Sequence, residues 1–331
     1  MWALLPLRNG IYNRGIMKSS KFIVPVINVG NLSMGGTGKS PHIEYLIRLL
    51  KDDFRLATLS RGFGRAERGF FIADDYSTAQ KIGDEPLQFY KKFGEDITVA
   101  VEADRVLGAM DLFKEREVDV LLLDDAYQHR AIHPGLNILL TDYNAPFYKD
   151  VILPVGNLRE SRRGKKRADI IVVTKCPELD DTEKAAVVKQ IKPLKSQSVF
   201  FSRIMYGDVF DFKGNITTFD NRKIIVVTGI ANATPFLQML SKKAEIIKHF
   251  NFNDHHKFRR AELESIHNLF DKFAEEKPLI LTTEKDAMRL LADEFAEIIK
   301  PYPWCYQSIE ILIDRKNEFD KLITCYVKEN H

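Results

Sequence analysis

Residues 30–40 read Gly-Asn-Leu-Ser-Met-Gly-Gly-Thr-Gly-Lys-Ser, directly after an apolar run at Phe22–Val29. Beyond them Ile43, Leu46, Ile47 and Leu50 form the i, i+3, i+4, i+7 stripe of an amphipathic helix. A glycine-rich loop between a strand and a helix lets backbone N–H groups wrap a phosphate, and the helix dipole favours the bound charge. Gly35, Gly36, Thr37 and Gly38 are expected to form this cradle, with Lys39 reaching the terminal phosphates and Ser40 ligating Mg²⁺. Pro41 falls in the first helical turn, where it costs no hydrogen bond. The usual pattern asks for glycine at position 33, and this chain has Ser33. A glycine-rich turn with a chance lysine is the bland alternative, and it leaves the flanking strand and helix unexplained.

Short apolar runs recur at Arg55–Leu59, Ile97–Val101, Val118–Asp124, Asn137–Thr141 and Ile170–Thr174, separated by helical patterns. This alternation predicts an α/β fold, a P-loop NTPase-like parallel sheet flanked by helices. A second series, Lys223–Thr228, Glu245–Phe250, Leu279–Thr283 and Cys305–Leu312, predicts a smaller Rossmann-like α/β domain. Between the series, Ser198–Met205 and Val209–Thr218 read as extended segments around Gly207-Asp208 and Gly214-Asn215. With 331 residues, too many for one ordinary core, the expected division is 1–215 and 216–331, the second domain closing over the site.

Val118–Asp125 is a buried-strand pattern that ends in two carboxylates, Asp124 and Asp125. Enzymes with this kind of loop hold magnesium at such a place. The same pair can also cap the next helix, and the two readings are compatible.

Formal net charge is +3, too weak to argue for a nucleic-acid partner. Three scattered cysteines show no zinc or disulfide spacing, as suits a reducing compartment. No run approaches the ~18 apolar residues that span a bilayer. Residues 1–20 or so mix Ile11, Tyr12, Ile16 and Met17 with Arg8, Arg14 and Lys18, which suits a segment at a membrane surface or a helix packed on its own domain. The basic cluster Arg162–Arg167 is a candidate for anionic headgroups or a substrate phosphate.

Further strings acquire meaning in their order: Leu59-Ser60-Arg61-Gly62-Phe63-Gly64-Arg65, Gly83-Asp84-Glu85-Pro86, Glu102-Ala103-Asp104-Arg105 and Asp124-Asp125-Ala126-Tyr127-Gln128-His129. Leu153–Glu160, Asp254-His255-His256 and Thr282-Thr283-Glu284-Lys285-Asp286 complete the set. Over residues 24–290 it resembles the tetraacyldisaccharide 4'-kinase family, which also carries Ser or Thr at the position of Ser33. That family usually has Gly and Phe where this chain has Ala126 and Tyr127.

The resemblance implies transfer of the γ-phosphate of ATP to the 4'-hydroxyl of an acylated glucosamine disaccharide 1-phosphate, with Mg²⁺ as cofactor. It implies a peripheral or monotopic place on the cytoplasmic face of a bacterial inner membrane and no protein partner. Asp104 is then the general base, with His255 paired to it or to the substrate, and Glu160 joins Ser40, Asp124 and Asp125 around the metal. Read without the resemblance, Asp104 is an ordinary loop aspartate beside Arg105. Gln128 and His129 are expected to line the cleft, and Arg61, Arg65 and Arg159 are candidates for phosphate contacts. The rival readings are a guanine-nucleotide switch, a soluble small-molecule kinase and a non-catalytic nucleotide module. For the switch, the nearest match to a guanine-reading motif, Thr174-Lys175-Cys176-Pro177, does not satisfy the pattern.

Overall fold

The computed structural model describes residues 5–254 and 256–331. Contacts divide the chain into a first unit, residues 1–204 with 311–331, and a second, residues 205–310.

The strands of the first unit are β1 (Val26–Asn31), β2 (Leu56–Ser60), β3 (Phe71–Ile72), β4 (Ile97–Val101), β5 (Val120–Asp124), β6 (Leu136–Asp142) and β7 (Ile170–Thr174), joined by the first part of β8 (Ser198–Asp211). Their order is β8-β7-β6-β1-β5-β2-β4-β3, parallel except where β3 meets β4. Every residue of β1, β2, β5 and β7 is buried, as expected when helices cover both faces and the strands are near-continuous runs of Val, Ile and Leu. α1 (Leu5–Asn13) precedes β1, and the covering helices include α2 (Lys39–Leu50), α3 (Ala79–Ile82), α4 (Asp84–Phe93), α5 (Arg105–Glu115) and α6 (Asp181–Ile191).

The second unit has β9 (Ile216–Thr217), β10 (Lys223–Thr228), β11 (Glu245–Asn251), β12 (Leu279–Thr283) and β13 (Trp304–Ile313). Its parallel order is β11-β10-β12-β13. The helices between are α7 (Thr234–Leu240), α8 (Arg260–Lys272), α9 (Glu284–Leu290) and α10 (Ala296–Ile299), and α11 (Lys316–Asn330) ends the chain.

Two details differ from the sequence expectation. β8 runs unbroken through Gly207-Asp208, because Gln307 and Ser308 donate to the carbonyls of Gly207 and Asp208 and hold that stretch extended. The division also falls at 204/205, and residues 311–331 return to the first unit. The reason is local: Phe319, Ile323 and Val327 form an i, i+4, i+8 stripe that packs with Ile43, Leu46 and Phe200. Tyr326 fixes the register by donating its hydroxyl to the Val26 carbonyl and accepting from the Val26 N–H, both at 3.2 Å.

The register positions the chemistry. Val29 of β1 lies opposite Asp124 of β5, so the phosphate loop and the paired aspartates leave neighbouring strands side by side. β2 and β4 end beside them at Ser60 and Val101, which are themselves register partners. The carboxyl edge of an open parallel sheet, where neighbouring connections part to opposite faces, is the usual seat of a ligand crevice.

Candidate active site

The loop between β1 and α2 is held open by glycines at positive φ, Gly35 at +102° and Gly38 at +84°, conformations an L side chain rarely adopts. Ser33 has no such requirement. It forms an antiparallel bridge with Leu158, flanked by Met34 N–H to Asn157 O and Arg159 N–H to Leu32 O, both 2.7 Å. Position 33 is ordinary extended backbone, which explains why the missing glycine does no harm. That bridge also delivers Arg159 to the site.

Asn31 braces the loop from within, its amide donating to the Thr37 hydroxyl at 2.7 Å. Thr174 donates to the Thr37 carbonyl at 2.9 Å, and Lys175 ties the Gly36 carbonyl to Asp142. Behind the loop His42 is buried. Its Nδ1–H donates to the Gly38 carbonyl at 2.6 Å, so Nε2 is left to accept from the Ser202 hydroxyl at 3.0 Å. Burial holds this imidazole neutral, with its pKa lowered to about 4. The sequence reading gives no such role to Asn31, Thr174, Lys175 or His42: Thr174 and Lys175 hold the Thr37 and Gly36 carbonyls from the far side of the unit's sequence, and His42 reaches the distant Ser202.

Lys39 stands 3.8 Å from Asp125. Arg159 grips the same carboxylate with both terminal nitrogens at 2.6 and 2.9 Å. Burial pushes the Asp125 carboxyl up, but Lys39 and Arg159 outweigh it and bring the pKa down to about 2. Asp124 goes the other way. It is fully buried, and that burial together with the charges of Glu85 and Asp125 raises it to about 7 against the pull of Lys39 and Arg105. Ser60 reaches its Oδ2 at 3.4 Å, while Oδ1 is buried with no hydrogen-bond partner among the described residues. An orphaned, buried carboxylate oxygen beside a phosphate loop fits a hard divalent cation. Among the described residues no ready-made group of three or more His, Cys, Asp or Glu exists, so a cation here would also need ligands such as Ser40 and phosphate oxygens.

Asp104 caps α5, accepting at Oδ1 from Val106 N–H at 2.9 Å and Leu107 N–H at 3.4 Å. Its side chain is 49% exposed, and His129 Nε2 lies 3.4 Å from the same oxygen. Burial and the charge of Arg105 lower the His129 pKa despite the carboxylate beside it. Arg105 is the buried bridge between the two acidic centres, donating to the carbonyls of Glu102, Ala103 and Asp124 at 3.3, 3.0 and 3.2 Å. The sequence reading sets Arg105 beside Asp104 as a pairing partner; its guanidinium goes instead to main-chain carbonyls.

The other expected residues separate. Glu160 is buried, and its oxygens accept from Arg167 (2.6 and 3.0 Å), Gln128 (3.0 Å) and Asn9 (3.0 Å). A carboxylate so occupied can ligate a cation only by releasing a donor. Gln128 also donates to the Asn31 carbonyl at 2.8 Å, which places it under the loop. Arg61 is exposed after β2, near enough to Arg105 for their charges to oppose, and Arg65 lies over the Phe71 ring at 5.7 Å. His255 lies outside the described residues, so its expected pairing with Asp104 is not tested; the described imidazole beside Asp104 is His129. The substitution Ala126-Tyr127 is accommodated. A Cβ on Gly30 would meet that of Tyr127 at 2.7 Å, and the Tyr127 hydroxyl donates to the Gly164 carbonyl at 2.9 Å.

The N-terminal segment is partly docked on this site. Arg8 donates to the Gln128 carbonyl at 2.7 Å, Asn9 holds Glu160, and the Tyr12 ring lies under Arg130 at 5.3 Å. Among the described residues no helix is long and apolar enough to cross a membrane.

A crystal structure of the "apo" form of LpxK from Aquifex aeolicus in complex with ATP has a TM-score of 0.75 at 28% identity, covering 98% of this chain and 95% of that one. A tetraacyldisaccharide 4'-kinase of Flavobacterium johnsoniae is 44% identical, covering 98% of this chain and 93% of its own length. One of Bacteroides thetaiotaomicron is 42% identical over 99% of this chain and 91% of its own. The family described as tetraacyldisaccharide-1-P 4'-kinase matches residues 1–328, end to end across the loop, the paired aspartates and the second unit, and the chain belongs to that family.

Proposed function

We infer that this protein transfers the γ-phosphate of ATP to the 4'-hydroxyl of a tetraacyldisaccharide 1-phosphate, the 4'-phosphorylation step of lipid A biosynthesis. Family membership supports the reaction. The observation that carries the mechanism is the convergence of Lys39, Asp124, Asp125 and Asp104 at one sheet edge, joined through Arg105.

Phosphoryl transfer demands positioning and charge neutralisation more than covalent chemistry. Lys39 and the N-terminus of α2 would neutralise the terminal phosphates, with Arg159, beside the same Asp125, adding a second positive charge. Ser40, Asp124 and Asp125 would hold Mg²⁺, which supplies further neutralisation of the phosphate oxygens. Among the described residues the contacts to the Asp104 carboxylate fall on Oδ1, which leaves Oδ2 to take the proton of the attacking hydroxyl. The hydroxyl oxygen bonds to the γ-phosphorus as the bond to ADP breaks. His129 orients the carboxylate, and His255 is read as a further participant in the transfer. Exposed Ile16, Met17 and Ile23 among Arg14, Lys18 and Lys21 support a peripheral place at the cytoplasmic face of the inner membrane, where the acyl chains reside.

The test is labelled phosphate transfer from ATP to the disaccharide in detergent micelles, with and without Mg²⁺. Labelled lipid is the expected product, and ATP should protect the fold from heat where GTP does not. A folded, ATP-binding protein that leaves the lipid unlabelled would overturn the assignment.

A further inference from the structure

The string Thr282-Thr283-Glu284-Lys285-Asp286 has no role in the chemistry above, yet it folds into the end of β12 and the first turn of α9. Asp286 is 0% exposed and Arg289, one turn later, 8%. Asp286 Oδ2 accepts from the Gly229 N–H at 3.0 Å and the Thr283 hydroxyl at 2.6 Å, and Oδ1 accepts from Arg289 at 2.7 Å. Arg289 then donates to the His256 carbonyl at 2.9 Å and the Gly229 carbonyl at 3.3 Å.

Gly229 follows β10, and the turn in which His256 N–H donates to Asn253 O follows β11. The two are pressed together: a Cβ on Gly229 would meet Asp286 Oδ1 at 3.0 Å, Asn253 O at 3.3 Å and His256 Cβ at 3.3 Å. The turn is also packed from its far side. The Phe252 and His256 rings stack at 4.5 Å, and His256 Nε2–H donates to Glu262 at 2.9 Å. Burying two charges is costly, and apolar side chains would fill the same space. What they could not do is satisfy both polar groups of Gly229 and the carbonyl of His256 at once.

The geometry points to Asp286 and Arg289 as positioning residues that hold Asn253 and His256, the residues on either side of Asp254-His255 in the chain, for phosphoryl transfer. The assignment rests on the reading of His255 as a participant in the reaction. Neither charge need touch substrate, because the pair acts through the turn.

The experiment is a double-mutant cycle with Asp286→Asn and His255→Ala in the full chain, read as kcat and KM for ATP, beside amide exchange across residues 252–258. Asp286→Asn is expected to lower kcat at least tenfold with KM for ATP within twofold, and to speed exchange in that turn selectively. In the His255→Ala background the same change should cost less than twofold, since its effect is already lost. Arg289→Lys keeps the charge without the two-pronged fork and should reproduce the effect, which covers the case of an Asp286→Asn chain that does not fold. An equal loss in both backgrounds, or unaltered exchange at 252–258, would overturn the proposal. Full activity of His255→Ala alone overturns the His255 reading and the catalytic part of the proposal with it, while exchange still reports separately whether the pair holds the turn.

Discussion

Arg159 and Asp125 form a two-pronged ion pair, at 2.6 and 2.9 Å, with Lys39 standing back at 3.8 Å from the same carboxylate. The arginine therefore takes up most of the charge that would otherwise draw the phosphate-loop lysine onto Asp125. Removing it should let Lys39 collapse onto the aspartate and compete poorly for phosphate. Arg159→Ala is expected to raise KM for ATP about tenfold, equivalent to ~1.4 kcal/mol. Steady-state kinetics decide it, and an unaltered KM would mean that Lys39 does not need the arginine.

Asp104 has two separable duties. As a helix cap its side chain accepts from Val106 and Leu107, which asparagine also does. As a base it needs a carboxylate. Asp104→Asn should therefore melt like the parent while turnover falls by about 10²–10⁴. Asp104→Ala should lose turnover and also ~1 kcal/mol of stability. Turnover at the parental rate in Asp104→Asn would reduce the residue to a cap.

His42 makes stability depend on pH. Its folded pKa is about 4 against 6.5 for the free side chain, because burial disfavours the charged form. Between those values the unfolded chain binds the extra proton, so this contribution is complete above pH 6.5 and is lost as pH falls towards 4. The steepest loss is ~1.4 kcal/mol per pH unit. Denaturant unfolding at a series of pH values, compared with His42→Gln, should show a shallower slope for the variant. Parallel curves would place the proton elsewhere.

The features legible in the sequence share one property: each is carried by a contiguous run. The β1–loop–α2 string, the aspartates closing β5 and the alternation of apolar runs all announce themselves locally. Arg159 could be nominated as a phosphate ligand, but its grip on Asp125 depends on the Ser33–Leu158 bridge, a pairing across the chain that no local pattern encodes. His129 is expected in the cleft, yet its contact with Asp104 depends on β4 and β5 ending on either side of β2. The return of α11 to the first unit is not legible, because its stripe says that a face is apolar, not which core it joins.

The N-terminal segment has two surfaces, and they should fail independently. Arg8 and Asn9 face inward, to the Gln128 carbonyl and Glu160, and Gln128 in turn holds the Asn31 carbonyl at the root of the phosphate loop. Ile16 and Ile23, 70% and 99% exposed, face outward. Hydrogen bonds of this kind, one donor or acceptor charged, contribute ~1.5–3 kcal/mol each. Replacing Arg8 and Asn9 together by alanine is therefore expected to lower kcat/KM in detergent micelles about tenfold or more while vesicle binding is kept. Replacing Ile16 and Ile23 by aspartate should weaken sedimentation with anionic vesicles and leave turnover in micelles within twofold, because these side chains touch nothing in the site. If the inward pair alone governs vesicle binding, the membrane is met by the helix rather than by the stretch after it, and the exposed isoleucines carry no part of the attachment.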